Sequence, residues 1–296
     1  MSSENFNKEQ LPKVSEASRR RRYRFIFLFY GIKSVVRLFS TKLMKNVVPL
    51  SLFSRKCRPL GKIKANDYLC PERNEKKEMA KRLVIFDLDG TLLDTIGDLA
   101  EACNRVMADH GYPPHRRDEY RYMVGNGINK LIERALPPEV RTEAHALSLR
   151  AEFVAYYQAH IDRYTRPYPG IEALLEELEK RNIRIAVASN KYQRGTEALV
   201  ARYFPGRHFA AVFGQRENIP VKPDPQIVRD VLAATGICRE ETLYIGDSGV
   251  DMQTASRAGV VSVGVAWGFR PQEELKEQGA DFIARRAEDI LEIVLS

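Results

Sequence analysis

Two aspartates stand two residues apart in Asp87-Leu88-Asp89-Gly90-Thr91, which ends the apolar run Leu83-Val84-Ile85-Phe86. Carboxylates at the end of a buried strand are costly unless they bind a cation or do chemistry. Gly90 allows a tight turn, and Thr91 offers a hydroxyl and a backbone N–H. Alone, the same residues read as an ordinary strand-to-turn sequence, because Asp and Gly favour turns.

Three further sets carry polar chemistry. Ser189-Asn190 follows the apolar run at 183–188. A hydroxyl, an amide and free N–H groups at a helix start suit an anion, although either residue alone reads as an N-cap. Lys222-Pro223-Asp224-Pro225 places a lysine just ahead of a helix, where it could balance phosphate charge or sit solvated in a loop. Gly246-Asp247-Ser248-Gly249-Val250-Asp251 supplies a second acidic pair across a strand-to-helix turn. Asp247 is placed to meet Asp87 at Mg²⁺, which prefers hard oxygen ligands. Asp251 alone reads as a helix N-terminal acid favoured by the macrodipole.

The elements that must position these residues follow an α/β pattern. Continuously apolar strand candidates lie at 83–87, 183–189, 209–213, 242–247 and 260–265, with a shorter one at 281–284. Helix candidates lie at 170–181, 192–203, 225–236, 249–258 and 287–295. Unbroken apolar strands alternating with helices predict a Rossmann-like parallel sheet buried on both faces. Ligands then bind at the carboxyl ends of the strands. Residues 96–166 carry no strand run and read as helices at 97–110, 116–123, 127–135 and 139–163. The expected organisation is an α/β core at 79–95 and 167–296 with a small helical cap at 96–166. Pro167, Pro169 and Gly97 stand at the crossings.

Four polar sets in this order, each at a strand end, resemble the haloacid dehalogenase-like hydrolases over residues 79–296. The insert matches that superfamily's small helical cap, and Asp87 to Thr95, Val124 to Gly127, Ser189-Asn190-Lys191 and Gly264 to Gly268 are most similar to its phosphoglycolate phosphatases. The resemblance implies Asp87 as nucleophile, forming an aspartyl-phosphate, and Asp89 as general acid and base. It implies Mg²⁺ held by Asp87, the Asp89 backbone carbonyl and Asp247, with Asp251 in support. Thr91, Ser189, Asn190 and Lys222 would hold the phosphoryl group. The cap loop Gly125-Asn126-Gly127 would help choose the substrate, with Lys130 and Arg134 as candidate partners of a substrate carboxylate. The expected reaction is hydrolysis of a small phosphate monoester, 2-phosphoglycolate first. Alternatives are pyrophosphate, nucleotides or sugar phosphates as substrates, a phosphosugar mutase on the same two aspartates, or a basic tail fused to a degenerate domain.

The chain has 296 residues and a formal charge of +8, but that charge is unevenly placed. Residues 1–82 hold 21 Lys and Arg against 7 Asp and Glu, whereas the remainder holds 26 against 32. Residues 1–78 therefore read as a basic extension, poorly ordered or dispensable; contact with a membrane or another anionic surface, and organelle targeting, are the other readings. The core itself is expected to be cytoplasmic and to bind no nucleic acid. Cys57, Cys70, Cys103 and Cys238 lie far apart without a CxxC pair, which argues against a disulfide framework. No apolar run reaches the roughly 18–20 residues that span a bilayer.

Overall fold

The structure, a computed structural model, describes residues 80–296; the expectations for residues 1–78 lie outside the described residues. Strand β1 (Leu83–Phe86) is buried along its whole length. Its alternate residues serve two cores: Val84 and Phe86 pack with Leu174, Leu178, Ile290 and Val294, while Leu83 and Ile85 pack with Ile227, Val231 and Tyr244. A strand that feeds both faces has no polar side, so its sequence is continuously apolar.

After β1 come β2 (Leu93–Asp94), helices α1 (Ile96–Asp109), α2 (Tyr120–Met123), α3 (Ile128–Ala135) and α4 (Glu143–His160), then β3 (Arg166–Pro167). The chain then alternates: α5 (Ile171–Lys180), β4 (Arg184–Tyr192), α6 (Gln193–Tyr203), β5 (Phe209–Gln215), α7 (Gln226–Thr235), β6 (Thr242–Gly246), α8 (Gly249–Ala258), β7 (Val261–Val265), α9 (Gln272–Glu277), β8 (Phe282–Ala284) and α10 (Ala287–Leu295). The six long strands form one parallel sheet in the order β5-β4-β1-β6-β7-β8. β1 is central, and the chain leaves it toward β4 on one side and β6 on the other. That reversal opens a crevice at the carboxyl ends of the strands.

The helices between β2 and β3 have their own apolar cluster. Ala146, Leu149, Phe153 and Tyr157 repeat at helical spacing along α4 and meet Val106, Leu131 and Ile132. The sheet region contributes Phe269 to that cluster as a fully packed member. β2 and β3 pair antiparallel, Leu93 with Pro167 and Asp94 with Arg166, as a two-stranded stalk. Behind it Asp98 is buried and accepts the N–H groups of Tyr164 (2.9 Å) and Thr165 (2.9 Å) and the Thr165 hydroxyl (2.6 Å). One carboxylate thus ties the outgoing chain to the returning chain.

Two helix expectations are corrected here. The helix expected at 116–123 is only Tyr120–Met123, because Asn104 takes both backbone groups of His115 and holds the preceding stretch irregular. The helix expected at 139–163 divides into a 3₁₀ turn at Pro138–Val140 and α4, which Thr142 caps through the N–H of His145.

Candidate active site

The site stands at the ends of β1, β4 and β6. Asp87 follows β1, and its N–H continues the ladder to Ile245 O at 2.9 Å. Its Oδ1 accepts Leu88 N–H at 2.7 Å and lies 3.0 Å from Lys222 Nζ. Burial pushes the Asp87 carboxyl up to about 6; Lys222 opposes the shift, while Asp251 and Asp89 add to it. Asp247 follows β6, and its Oδ2 accepts Phe269 N–H at 2.7 Å. Burial, then Asp251 and Asp87, hold it well above the usual carboxylate range. A Cβ on Gly90, whose φ is +88°, would stand 2.2 Å from Asp247 Oδ2, and one on Gly268 would stand 2.2 Å from Asp247 Cβ. The two glycines let backbone close around this carboxylate.

Asp251 is wholly buried. Its Oδ2 accepts the Ser248 N–H (3.1 Å) and hydroxyl (2.6 Å), closing a capping box at the start of α8. Its Oδ1 accepts Lys222 Nζ (2.7 Å) and Tyr244 OH (3.2 Å). Asp251 therefore serves as a helix cap and as an anchor for Lys222. Burial works against the Lys222 charge, but Asp251 and Asp87 outweigh it and raise the lysine well above its ordinary value.

Oxygens of Asp87, Asp247 and Asp251 lie within 4.8 Å of one another. Three buried carboxylates, two of them held above their ordinary range by burial and by neighbouring carboxylates, form a donor set that suits a hard divalent cation. Both oxygens of Asp251 already have donors, so Asp87 Oδ2 and Asp247 Oδ1 are the atoms left for direct ligation. The Asp89 side chain stands apart from this group. Its two oxygens accept Lys191 Nζ at 3.1 and 3.2 Å.

The other expected residues are placed unevenly. Ser189 is buried and lines the cavity with Asp87 and Asp89. Asn190 also borders it, but its amide is committed: Nδ2 donates to Gly125 O (2.9 Å) and Lys222 O (3.1 Å), and Oδ1 accepts Lys222 N–H (2.8 Å). Its side chain positions Lys222 and touches the helical insert. Thr91 is buried outside the cavity lining; its N–H goes to Leu88 O, and among the described residues its hydroxyl has no partner. Gly125 and Gly127 face the cavity, whereas Asn126 turns away and accepts Arg134 at 2.9 Å. Lys130 pairs with Glu133, and Arg134 is spent on Met123 O and Asn126, so neither cation reaches the cavity.

Three cavity residues carried no assigned role in the sequence. Lys191 directly follows Asn190, and a lysine closing an apolar strand was the signal available for it. Tyr157 gave no signal beyond its helical spacing. Arg270 follows the Gly268-Phe269 turn and reaches the insert, donating to the carbonyls of Arg121, Tyr122 and Val124.

Known proteins are similar to this chain. Residues 84–265 match the model of the haloacid dehalogenase-like hydrolases. A phosphoglycolate phosphatase of Pseudomonas putida is 36% identical over 193 residues, covering 64% of this chain and 70% of the relative. Phosphoglycolate phosphatase 1 of Pseudomonas aeruginosa is 33% identical over 218 residues, 71% of this chain and 78% of the relative. A crystal structure from Lactobacillus delbrueckii subsp. bulgaricus, described provisionally as a phosphoglycolate phosphatase, has a TM-score of 0.70 at 30% identity. The match covers 74% of this chain and 100% of that one.

Proposed function

The chain belongs to the haloacid dehalogenase-like hydrolase family, and we propose that within it the protein hydrolyses 2-phosphoglycolate to glycolate and phosphate through an aspartyl-phosphate on Asp87. It is a phosphoric monoester hydrolase by its family and its relatives. The observation that carries the mechanism is the convergence on Asp87: a buried carboxylate at the end of the central strand, 3.0 Å from Lys222 and grouped with Asp247.

Asp87 attacks phosphorus, and the ester oxygen leaves on the opposite side. Asp89 gives that oxygen a proton, then takes one from the water that attacks the acyl phosphate, returning Asp87 and releasing phosphate. Lys222 and Ser189 offset charge on the phosphoryl oxygens. Asp87 and Asp247, with the Asp89 carbonyl, would hold magnesium, and Asp251 would fix Lys222 behind them. When bound, the ion supplies the positive charge that lets a carboxylate approach an anionic phosphate. Residues 96–166 act as a cap that excludes bulk water from the site. The reading includes a cytoplasmic enzyme whose residues 1–78 take no part in catalysis. Among the described residues, no helix is long and apolar enough to cross a membrane.

Magnesium is expected to stabilise the protein, more so at about pH 7.5 than at about pH 5. In the metal-free fold Asp87 keeps its proton until about pH 6, so at the lower pH the ion must displace it. At a concentration about a hundredfold over the dissociation constant the gain is about 2.7 kcal/mol. That corresponds to roughly 5–10 °C in melting temperature for a domain of this size. Thermal unfolding with and without magnesium at both pH values checks it; an equal or larger shift at the lower pH would contradict the assignment of Asp87 as a ligand.

The experiment for the function measures phosphate release by the full chain with magnesium. Its substrates are 2-phosphoglycolate, pyrophosphate, nucleoside monophosphates and sugar phosphates. A kcat/KM highest on 2-phosphoglycolate and lost with chelator is the expected result. Preference for another ester would replace the substrate, and isomerised sugar product with phosphorylated enzyme would replace hydrolysis by mutase chemistry.

A further inference from the structure

We propose that Lys191 binds the second anion of the substrate, a carboxylate on the leaving group, and so confines the enzyme to small phosphate monoesters carrying an acid one carbon from the ester oxygen. The inference rests on the hydrolysis proposed above and adds the residue that selects the substrate.

Position comes first. When Asp87 attacks, the ester oxygen departs toward Asp89, so whatever is bonded to that oxygen must lie beside Asp89. Lys191 Nζ is there, 3.1 and 3.2 Å from the two Asp89 oxygens and 2.7 Å from Tyr157 OH. The lysine is only 6% exposed, and its ammonium also lies 4.6 Å from the centre of the Tyr157 ring.

Charge comes second. Among the described residues, Lys191 and Arg270 are the two cationic ones that line the cavity. Arg270 is engaged by the carbonyls of the insert and by Glu274, which leaves it a structural link. The acceptor that holds Lys191 is the carboxyl group that must take up a proton and then turn to give it to the leaving oxygen. When Asp89 turns, a buried ammonium loses its main partner, which is costly unless another anion replaces it. A carboxylate one carbon from the ester oxygen arrives at that place with the substrate. Tyr157 supports the same contact: it accepts from Lys191, and among the described residues nothing takes its own proton.

The remaining walls set the size. Leu99, Val124, Ile128, Leu131 and Phe153 give the insert side of the cavity a mostly apolar lining with few partners for sugar hydroxyls; the Tyr192 and Ser248 side chains also line it. A longer polar leaving group would bury most of those hydroxyls unpaired.

The test compares 2-phosphoglycolate with 2-hydroxyethyl phosphate, which has the same skeleton without the acid, for the full chain and for Lys191→Met and Lys191→Arg. The wild type is expected to favour the acid by roughly 100-fold in kcat/KM, as one buried charged contact can supply. Lys191→Met should shrink the ratio to about fivefold or less, chiefly through KM on 2-phosphoglycolate, and Lys191→Arg should restore much of it. If Lys191→Met does not fold, Lys191→Gln replaces it, keeping the hydrogen-bonding reach without the charge. A ratio that survives loss of the charge, with both esters slowed alike, would overturn the inference and leave Lys191 as a residue that positions Asp89. Failure of the underlying substrate reading is separate: it shows in the wild type alone, as no preference for 2-phosphoglycolate among natural esters.

Discussion

Asp87→Asn is expected to abolish phosphate release and, in chelator at about pH 7.5, to make the protein more stable. The first effect follows from the proposed chemistry. An amide is a poor nucleophile toward phosphorus, and loss of a covalent nucleophile costs on the order of 10⁴–10⁶ in kcat. The second follows from the environment. Burial raises Asp87 from 3.8 to about 6 in spite of Lys222, with Asp251 and Asp89 adding to the rise, so the ionised form is disfavoured in the fold. Replacing it with a neutral amide removes a penalty on the order of 1–3 kcal/mol. The asparagine carbonyl can still accept Leu88 N–H, and Lys222 keeps Asp251 at 2.7 Å.

The sign can be followed with pH. Below about pH 4 the wild-type carboxyl is protonated in both folded and unfolded chains, and the variant has no advantage. From about pH 4 to 6 the unfolded carboxyl ionises while the folded one retains its proton, so wild-type stability falls as pH rises. Above that window the penalty is complete. Melting temperatures in chelator should therefore coincide near about pH 4 and separate by about pH 7.5, with the variant higher. Magnesium should reverse the order by stabilising only the wild type. A variant less stable than wild type in chelator at the higher pH would mean that Asp87 is held by Lys222 more than it is burdened by burial. The same carboxylate is thus costly to the fold and required by the reaction, a conflict often found at active sites.

How much of this was legible in the sequence differs by kind of residue. The sheet was, because unbroken apolar runs such as Leu83 to Phe86 and Leu243 to Ile245 admit few other readings in a chain that alternates with helices. The places of Asp87 and Asp247 were, because each directly follows a strand built on such a run. The stalk at Leu93–Asp94 and Arg166–Pro167 was not: two residues per strand leave no periodicity to detect. Lys191 and Tyr157 are separated by 34 positions, and their contact depends on how α4 lies over the sheet. Helical spacing shows which face of α4 is apolar but not which residue on that face meets the end of β4. Lys130 and Arg134, read as candidate substrate contacts or more simply as a solvated helix face, show the reverse case. A cation near a glycine loop suggests a substrate contact, yet Glu133 and the Met123 carbonyl lie closer to hand.

Lys222→Met is expected to destabilise the protein by about 3–5 kcal/mol and to reduce kcat by roughly a thousandfold. Lys222 is 2% exposed and gives hydrogen bonds to Asp251 Oδ1 (2.7 Å), Tyr244 OH (3.1 Å) and Ala188 O (3.2 Å), besides its contact with Asp87. Methionine fills much of the volume but leaves Asp251, wholly buried, without its counter-charge. The cost should be larger at about pH 9 than at about pH 6, because without Lys222 the buried Asp87 carboxyl is raised further and ionising it in the fold costs more, whereas the lysine charge itself does not change. Burial lowers the lysine, but Asp251 and Asp87 more than compensate, so its folded value lies well above 10.5 and its charge persists across that range. A lysine raised in this way stabilises fully below its unfolded value and loses that contribution only as pH climbs through the folded one. The pair can be separated from the chemistry by adding Asp251→Asn. The double variant no longer leaves Asp251 as an unpaired buried charge, although Asp87 still lacks its cation, and the carbonyl of the introduced amide can still accept from Ser248. Stability should therefore return by about 2 kcal/mol or more relative to Lys222→Met. Activity should not return, because the phosphoryl oxygens still lack their cation. Denaturant unfolding and single-turnover phosphate release on wild type, both single variants and the double variant read the two effects separately. Activity that recovered together with stability would make Lys222 a structural residue and assign phosphoryl stabilisation to Ser189 and the metal.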